Sequence, residues 1–201
     1  MVNLDIQRAV RRDAILLRRL YELYCHDFSP YTHADVGDDG LYTGDDFLAD
    51  HWPDRNWSAW LFRLDGKLAG FAWLHGGSLF RPQDSQTSQL AEAGLLNGAH
   101  LLVEEFFVMR KYRNRGVGAA AARWLFDRFD GVWEVSEMAE NTPAQAFWRK
   151  VIDRHTGGKY LEIELDTEMW HGPVQVFRNP ANHSDSRDPR DSRGPANAMA
   201  E

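Results

Sequence analysis

The chain predicts an α/β protein: one mixed sheet with helices on both faces. Three observations lead there. Short alternating or apolar runs recur along the chain as strands. Trp57–Arg63 and Lys67–His75 are joined at Asp65-Gly66, a strong hairpin signal. In the second half strands alternate with helix-periodic segments, which demands crossovers and hence parallel pairing. At 201 residues the chain suits one domain with a full core.

The elements follow in order. Val2 to Val10 reads as a first strand. Arg12 to Tyr24 sets Ile15, Leu16, Leu20, Leu23 and Tyr24 at helical spacing, with Asp13 suited to the helix start. Between Arg19 and Arg55 there is no Lys or Arg but nine acids, from Glu22 to Asp54. Gly37, Gly40 and Gly44 break this stretch into turns, and Asp45 to Trp52 reads as a short helix. After the hairpin, Gly76 to Asn97 reads mostly as loop, with one helical turn around Leu90. Ala99–Met109 is a strand apolar enough for burial on both faces, and Gly116–Phe129 is the helix after it. Val132–Glu137, Pro143–Ile152, Lys159–Leu165 and Val174–Arg178 complete the order as strand, helix, strand and strand. Residues 1–178 form the domain. Residues 179–201 hold no aromatic residue and only Met199 as a large apolar one, so this tail is expected to be disordered.

Composition narrows the function. The formal charge of −7 argues against a nucleic-acid backbone as partner. Cys25 is the single cysteine, which excludes an intrachain disulfide framework and a cysteine zinc cluster. The eight histidines show no close metal-ligand spacing, so no metal is expected. The first ten residues are charged and strand-like, unlike a signal peptide, and no apolar run is long enough to span a membrane. A cytoplasmic protein without membrane partners is the expectation.

Against that acidity, four of the six residues from Arg110 to Arg115 are basic. They lead into Gly116-Val117-Gly118 and a helix. Glycines let a backbone approach a ligand closely, and a helix start presents unpaired N–H groups at a positive dipole end. The amides of Asn114, Arg115, Gly116, Val117, Gly118 and Ala119, with the side chains of Arg113 and Arg115, therefore read as a pyrophosphate site. A P-loop fails because Ala119-Ala120 follows Gly118 where Lys-Ser/Thr is needed. A dinucleotide fingerprint, Gly116-x-Gly118-x-x-Ala121, matches superficially, but seven residues separate Val108 from Gly116. A plain solvated basic turn is the remaining alternative.

Val108-x-x-x-x-Arg113-x-x-Gly116-x-Gly118 resembles the acetyl-CoA-binding signature of the GNAT N-acetyltransferase superfamily. Asn141-Thr-Pro-Ala-Gln-Ala-Phe-Trp-Arg-Lys150 resembles that family's second motif, in the right order and at the right separation. The specific resemblance covers residues 99–152. It implies an acyl-CoA N-acyltransferase fold, acetyl-CoA as co-substrate, and transfer to a primary amine of a small molecule or protein. Phe106 and Val108 would align the pantetheine and thioester through their backbones. Asn141 would support the coenzyme or simply cap the helix at Pro143, and Trp148 would pack against the pantetheine arm. A homodimer through the sheet edge is common in the family.

Acetyl transfer needs a neutral amine, so a proton must be accepted. Glu104 and Glu105 lie in an otherwise apolar strand, where unpaired carboxylates are costly. Strict alternation puts their side chains on opposite faces. The strand is also similar to that of the polyamine acetyltransferases. By that resemblance Glu104 is the catalytic base and Glu105 binds the amine. A structural ion pair is the competing reading for one of them. Where the family often has Tyr as general acid, this chain has Trp148, whose indole is no useful proton donor. Water, Tyr112 or Tyr160 would then serve. The acidic 27–54 region suggests a cationic acceptor, or only a solvated face. A non-catalytic acyl-CoA-binding or sensor protein is the rival, and an NAD(P)-binding enzyme a third reading.

Overall fold

In a computed structural model of the chain, residues 3–44 and 56–179 are described. The short helix expected at Asp45–Trp52 and the tail from residue 180 lie outside them. Seven strands form one sheet: β1 (Leu4–Arg8), β2 (Trp57–Leu64), β3 (Lys67–Gly76), β4 (His100–Val108), β5 (Gly131–Ser136), β6 (Leu161–Asp166) and β7 (His171–Asn179). Their spatial order is β1-β2-β3-β4-β5-β7-β6, and every neighbouring pair is antiparallel except β4 with β5. The helices are α1 (Ala14–Thr32), α2 (Thr87–Glu92), α3 (Val117–Arg128) and α4 (Thr142–Thr156). The expected mixed sheet is therefore present.

Period-two alternation sorts the sheet residues into two layers. Trp60, Phe62, Leu74, Val103, Trp133, Val135 and Phe177 pack with Val117, Leu125 and Phe126 of α3 and Trp148 and Ile152 of α4. On the other face, Leu61, Phe71, Trp73 and Phe107 meet Leu17, Leu20 and Tyr24 of α1. Leu90 of α2 covers Val132, Val174 and Val176 beside it. At the hairpin, Asp65 and Gly66 both take positive φ (50° and 75°), as the tight two-residue turn between twisted strands requires.

Helix α1 runs eight residues past the expected end at Tyr24, through Pro30. A proline lacks the N–H that would bond the His26 carbonyl. The Ser29 hydroxyl donates to that carbonyl instead, at 2.9 Å, and the helix continues until His33 closes it in left-handed geometry. At its start, the Asp13 carboxylate accepts the Val10 amide at 2.9 Å.

Two irregularities in β4 shape the site. First, Trp73 pairs with Glu105 but Leu74 with Val103, so Glu104 is an extra, bulged residue. The side-chain phase shifts there. Val103 and, three residues later, Phe106 both face α3 and α4, whereas Phe107 faces α1. The expectation that alternation separates Glu104 from Glu105 fails for this reason. Second, β4 and β5 pair only through His100–Val103 and Val132–Val135, then part.

The segment between β3 and β4 is tied down by one buried acid. Glu134 of β5 accepts the Ser78 hydroxyl (2.6 Å), the Leu79 amide (2.8 Å) and His100 Nδ1 (2.6 Å). That hydrogen bond to Glu134 raises the His100 pKa above its ordinary 6.5. A raised folded pKa means the pair's stabilisation is complete below the unfolded value and fades as pH rises through the folded one. His100→Ala should cost about 3 kcal/mol at pH 6, since it strips a partner from a buried carboxylate. Urea unfolding at pH 6 and pH 9 checks this: the cost should shrink at the higher pH, and a constant cost contradicts the assignment.

Candidate active site

The turn after β4 ends at a bare helix start. Gly116 takes left-handed geometry (φ 78°), and α3 has no side-chain cap and no acid in its first turn. The Gly116 carbonyl accepts from Ala120 at 2.9 Å, the first bond of the helix. The amides of Val117, Gly118 and Ala119 accordingly have no partner within α3. A side chain at Gly116 would meet nothing within 4 Å, so this position is open to a ligand. Gly118 differs: a side-chain carbon there would stand 3.2 Å from the Phe147 ring of α4. Its glycine serves helix packing, where the sequence suggests clearance for an anion. Asn114 is also left-handed (φ 58°), and Arg115 is exposed. A polyphosphate fits this start by charge and by donors.

Arg113 is engaged elsewhere. Its Nε donates to the Val108 carbonyl at 2.7 Å, and its guanidinium pairs with Asp27 of α1. Arg110 Nε reaches the same carboxylate at 2.7 Å. The aspartate thus binds two of the turn's four cations to α1. By sequence alone Asp27 belongs to an acceptor-facing acidic run. Glu22 is similarly employed, accepting the Tyr42 and Thr43 amides at 2.7 and 3.0 Å.

Beyond Val103 the β4 edge facing β5 has no ladder partner. The Phe107 carbonyl lies against Gly70 of β3, so close that any side-chain carbon there would collide with it. Backbone groups alternate along a strand, so those of Phe106 and Val108 turn toward the gap. Trp148 is buried (6% exposed), set edge-on to Phe106 at 4.9 Å. Asn141 caps α4: its side chain accepts the Ala144 amide at 3.2 Å. Tyr112 is buried in the core under α3, and Tyr160 is half-buried against that core.

On the α1 face, Glu105 sits half-buried among aromatic rings. Tyr21 donates its hydroxyl to Glu105 Oε1 at 3.1 Å and stacks on Trp73 at 5.0 Å. Burial pushes the Glu105 carboxyl up to about 7; hydrogen bonds from Tyr24 and Tyr21 hold it down, and the Glu104 charge adds to the rise. That coupling places Glu104, exposed at the bulge, close to Glu105. Burial and Glu105 push the Cys25 thiol up to about 12, so it stays protonated and inert as a nucleophile. By sequence Tyr24 stands only in the helical apolar pattern and Tyr21 is not singled out; their spacing within one helix face was the available signal. Glu137, just past β5, was also missed. It is buried (4% exposed) with both carboxylate oxygens lacking a hydrogen-bond partner. Among the described residues no His, Cys, Asp and Glu side chains gather to hold a metal ion, and no helix is long and apolar enough to cross a membrane.

Known proteins share this architecture. No curated protein sequence matches the chain. Among solved structures, an acetyltransferase from Thermus thermophilus is similar with TM-score 0.58 at 15% identity, over 87% of this chain and 96% of that one. The ribosomal-protein-S18-alanine N-acetyltransferase from Escherichia coli gives 0.54 at 13% identity, over 90% and 97%. An aminoglycoside acetyltransferase from an uncultured soil sample gives 0.53 at 14%, over 83% and 95%. At these identities the likeness is one of fold. Residues 17–152 match the family model described as Acetyltransferase (GNAT) family, and the chain belongs to that family of acetyltransferases.

Proposed function

We propose that the protein moves the acetyl group of acetyl-CoA directly to a primary amine. The observation that carries this reading is the parted β4–β5 gap opening onto the uncapped amides of α3. The amides of Val117, Gly118 and Ala119, with Arg115 and Asn114, would hold the pyrophosphate. Arg113 would fix the turn through Val108 and Asp27 rather than meet the phosphates itself. Phe106 and Val108 would bind the pantetheine arm through backbone groups on the opened edge. Trp148 would pack beside that arm, and Asn141 would set the start of α4. A backbone N–H on that edge would stabilise charge developing on the thioester oxygen.

The amine must lose a proton before it attacks. Its base is most effective when its pKa lies near the working pH. Glu105, at about 7 and held by two tyrosine hydroxyls, meets that condition. Resemblance alone gives the opposite division, with Glu104 as base. The geometry favours Glu105 as proton acceptor and Glu104, exposed beside it, as anchor for a cationic amine. With Asp27 and Glu22 committed inside the protein, less of the acidic run is left for such an acceptor than the sequence suggests. One observation favours a sensor that binds the acyl-coenzyme without transfer: Trp148 offers no proton where an acid is wanted. Free-thiol release from acetyl-CoA against an amine panel separates the two readings, and no release with any amine despite tight binding selects the sensor.

Gly116→Glu should abolish CoA binding in calorimetry without loss of the folded circular dichroism spectrum. Unchanged affinity sinks the turn assignment. Glu105→Gln should lower kcat about 100-fold with coenzyme affinity retained, whereas Glu104→Gln should chiefly raise the amine KM. In the parent, kcat/KM should fall as pH drops through about 7. Tyr21→Phe removes a hydrogen bond that lowers the Glu105 pKa, so this acid limb should move to higher pH. A limb that stays put excludes Glu105 as the base.

A further inference from the structure

Glu137 is a buried acid that the reading above does not use. Its surroundings are specific. It follows β5 by one residue, and its amide bonds the Pro173 carbonyl of β7 at 3.1 Å. By alternation it shares the α4 face with Val135 and Trp133, which belong to the core that contains Trp148. Both its carboxylate oxygens lack a hydrogen bond, as does Oε1 of the fully buried Gln175. Three buried acceptors without donors are costly as they stand. A carboxylic acid in the protonated state removes much of that cost, because its O–H is a donor in its own right.

Strand register says where this acid lies. The last β4–β5 pair is Val103 with Val135. Glu105 is two residues beyond Val103, and Glu137 is two beyond Val135. Because Glu104 is an extra residue, Glu105 is only one ladder step past the last pair and Glu137 two, so the acids flank the start of the opened gap on its two limbs, Glu105 toward α1 and Glu137 toward α4. Acetyl transfer takes a proton from the attacking nitrogen, and a separate acid can deliver one to the departing sulfur. The departing sulfur leaves with the electron pair of the C–S bond, and a proton delivered to it favours the free thiol over return of the thiolate to the acyl carbon.

Resting on the acetyl-transfer reading, we infer that Glu137 is the proton donor to the departing coenzyme thiolate. The amine nitrogen forms the C–N bond as the C–S bond breaks. The Glu137 O–H passes its proton to sulfur, giving the free thiol. The resulting carboxylate is reprotonated from solvent, balanced by the proton that Glu105 takes from the amine. The group carries that proton at neutral pH: burial pushes it up to about 8, tempered by the Gln175 amide, while Glu162 raises it and Arg149 opposes. Those are the groups facing it from β7, β6 and α4. Arg149 and Glu162 are themselves paired at 2.7 Å, and Gln175 Nε2 donates to Glu162 at 2.9 Å. Trp148 supplies only an indole N–H, and Tyr112 is buried beneath α3.

The test uses the full chain with Glu137→Gln and Glu137→Val, the second filling the site with an apolar group should the first not fold. Both should bind CoA within about threefold of the parent by calorimetry, while kcat falls roughly 100-fold. The alkaline limb of the parent's kcat profile, near pH 8, should vanish. A readout independent of turnover is the ultraviolet absorbance of the bound CoA thiolate. A neighbouring carboxylate disfavours a second negative charge, so the thiolate should appear at lower pH in either variant than in the parent. Coincident thiolate titrations, or parental kcat in both variants, overturn the inference. Failure of the parent itself to bind CoA removes the acetyl-transfer reading beneath it.

Discussion

One extra residue in β4 organises the site. Without the bulge at Glu104, the phase of β4 past Val103 would be reversed. Phe106 and Val108 would then turn from the α3–α4 core toward α1, and Glu105 would turn into that core. A one-residue slip exchanges every side chain between faces. The bulge also coincides with the end of β4–β5 pairing, so the strand that changes phase is the one that exposes an unpaired edge. The apolar lining of the gap and the acid beside α1 both follow from this single irregularity.

The two faces of the sheet have separate electrostatic duties. On the α1 face an acid is raised by burial among Tyr21, Tyr24 and Trp73, yet kept ready to accept a proton by hydroxyl donors. On the α4 face a second acid is also raised by burial, with no hydrogen bond to its carboxylate oxygens. In both carboxyls burial is the main cause of the rise, and the donors their neighbours supply moderate it. Glu134, also buried, is met by three donors, and its work is to hold the segment leading into β4.

Much of this fold was legible in the residues. The Asp65-Gly66 turn, the apolar run of β4, the basic turn and the helical spacing after Gly116 each carry a local signal that tertiary contacts reinforce. The element order was readable for that reason. The bulge was not, because two consecutive glutamates look like ordinary alternation and no glycine or proline marks the break. The extension of α1 depended on a serine hydroxyl replacing a missing amide donor at Pro30, a compensation visible only in three dimensions. Arg113 looked like a phosphate ligand because its partner Asp27 lies 86 residues away in sequence. Gly118 was read for its neighbourhood to Gly116, whereas Phe147, on a different helix, determines it. Glu137 gave no pattern, since a charged residue closing a strand is usually solvated.

The Asp27 clamp bears on how fast a polyanion would find the turn proposed as its site. Long-range attraction depends on net charge seen from a distance, and the carboxylate of Asp27 already offsets part of the field from Arg110 and Arg113. A polyphosphate approaching this turn would therefore meet a weaker field than four basic residues in six suggest. Its capture would then depend on short-range donation by oriented amides, which acts only over the last few ångströms. Encounter should be only modestly sensitive to ionic strength, with most of the discrimination expressed in how slowly the ligand leaves.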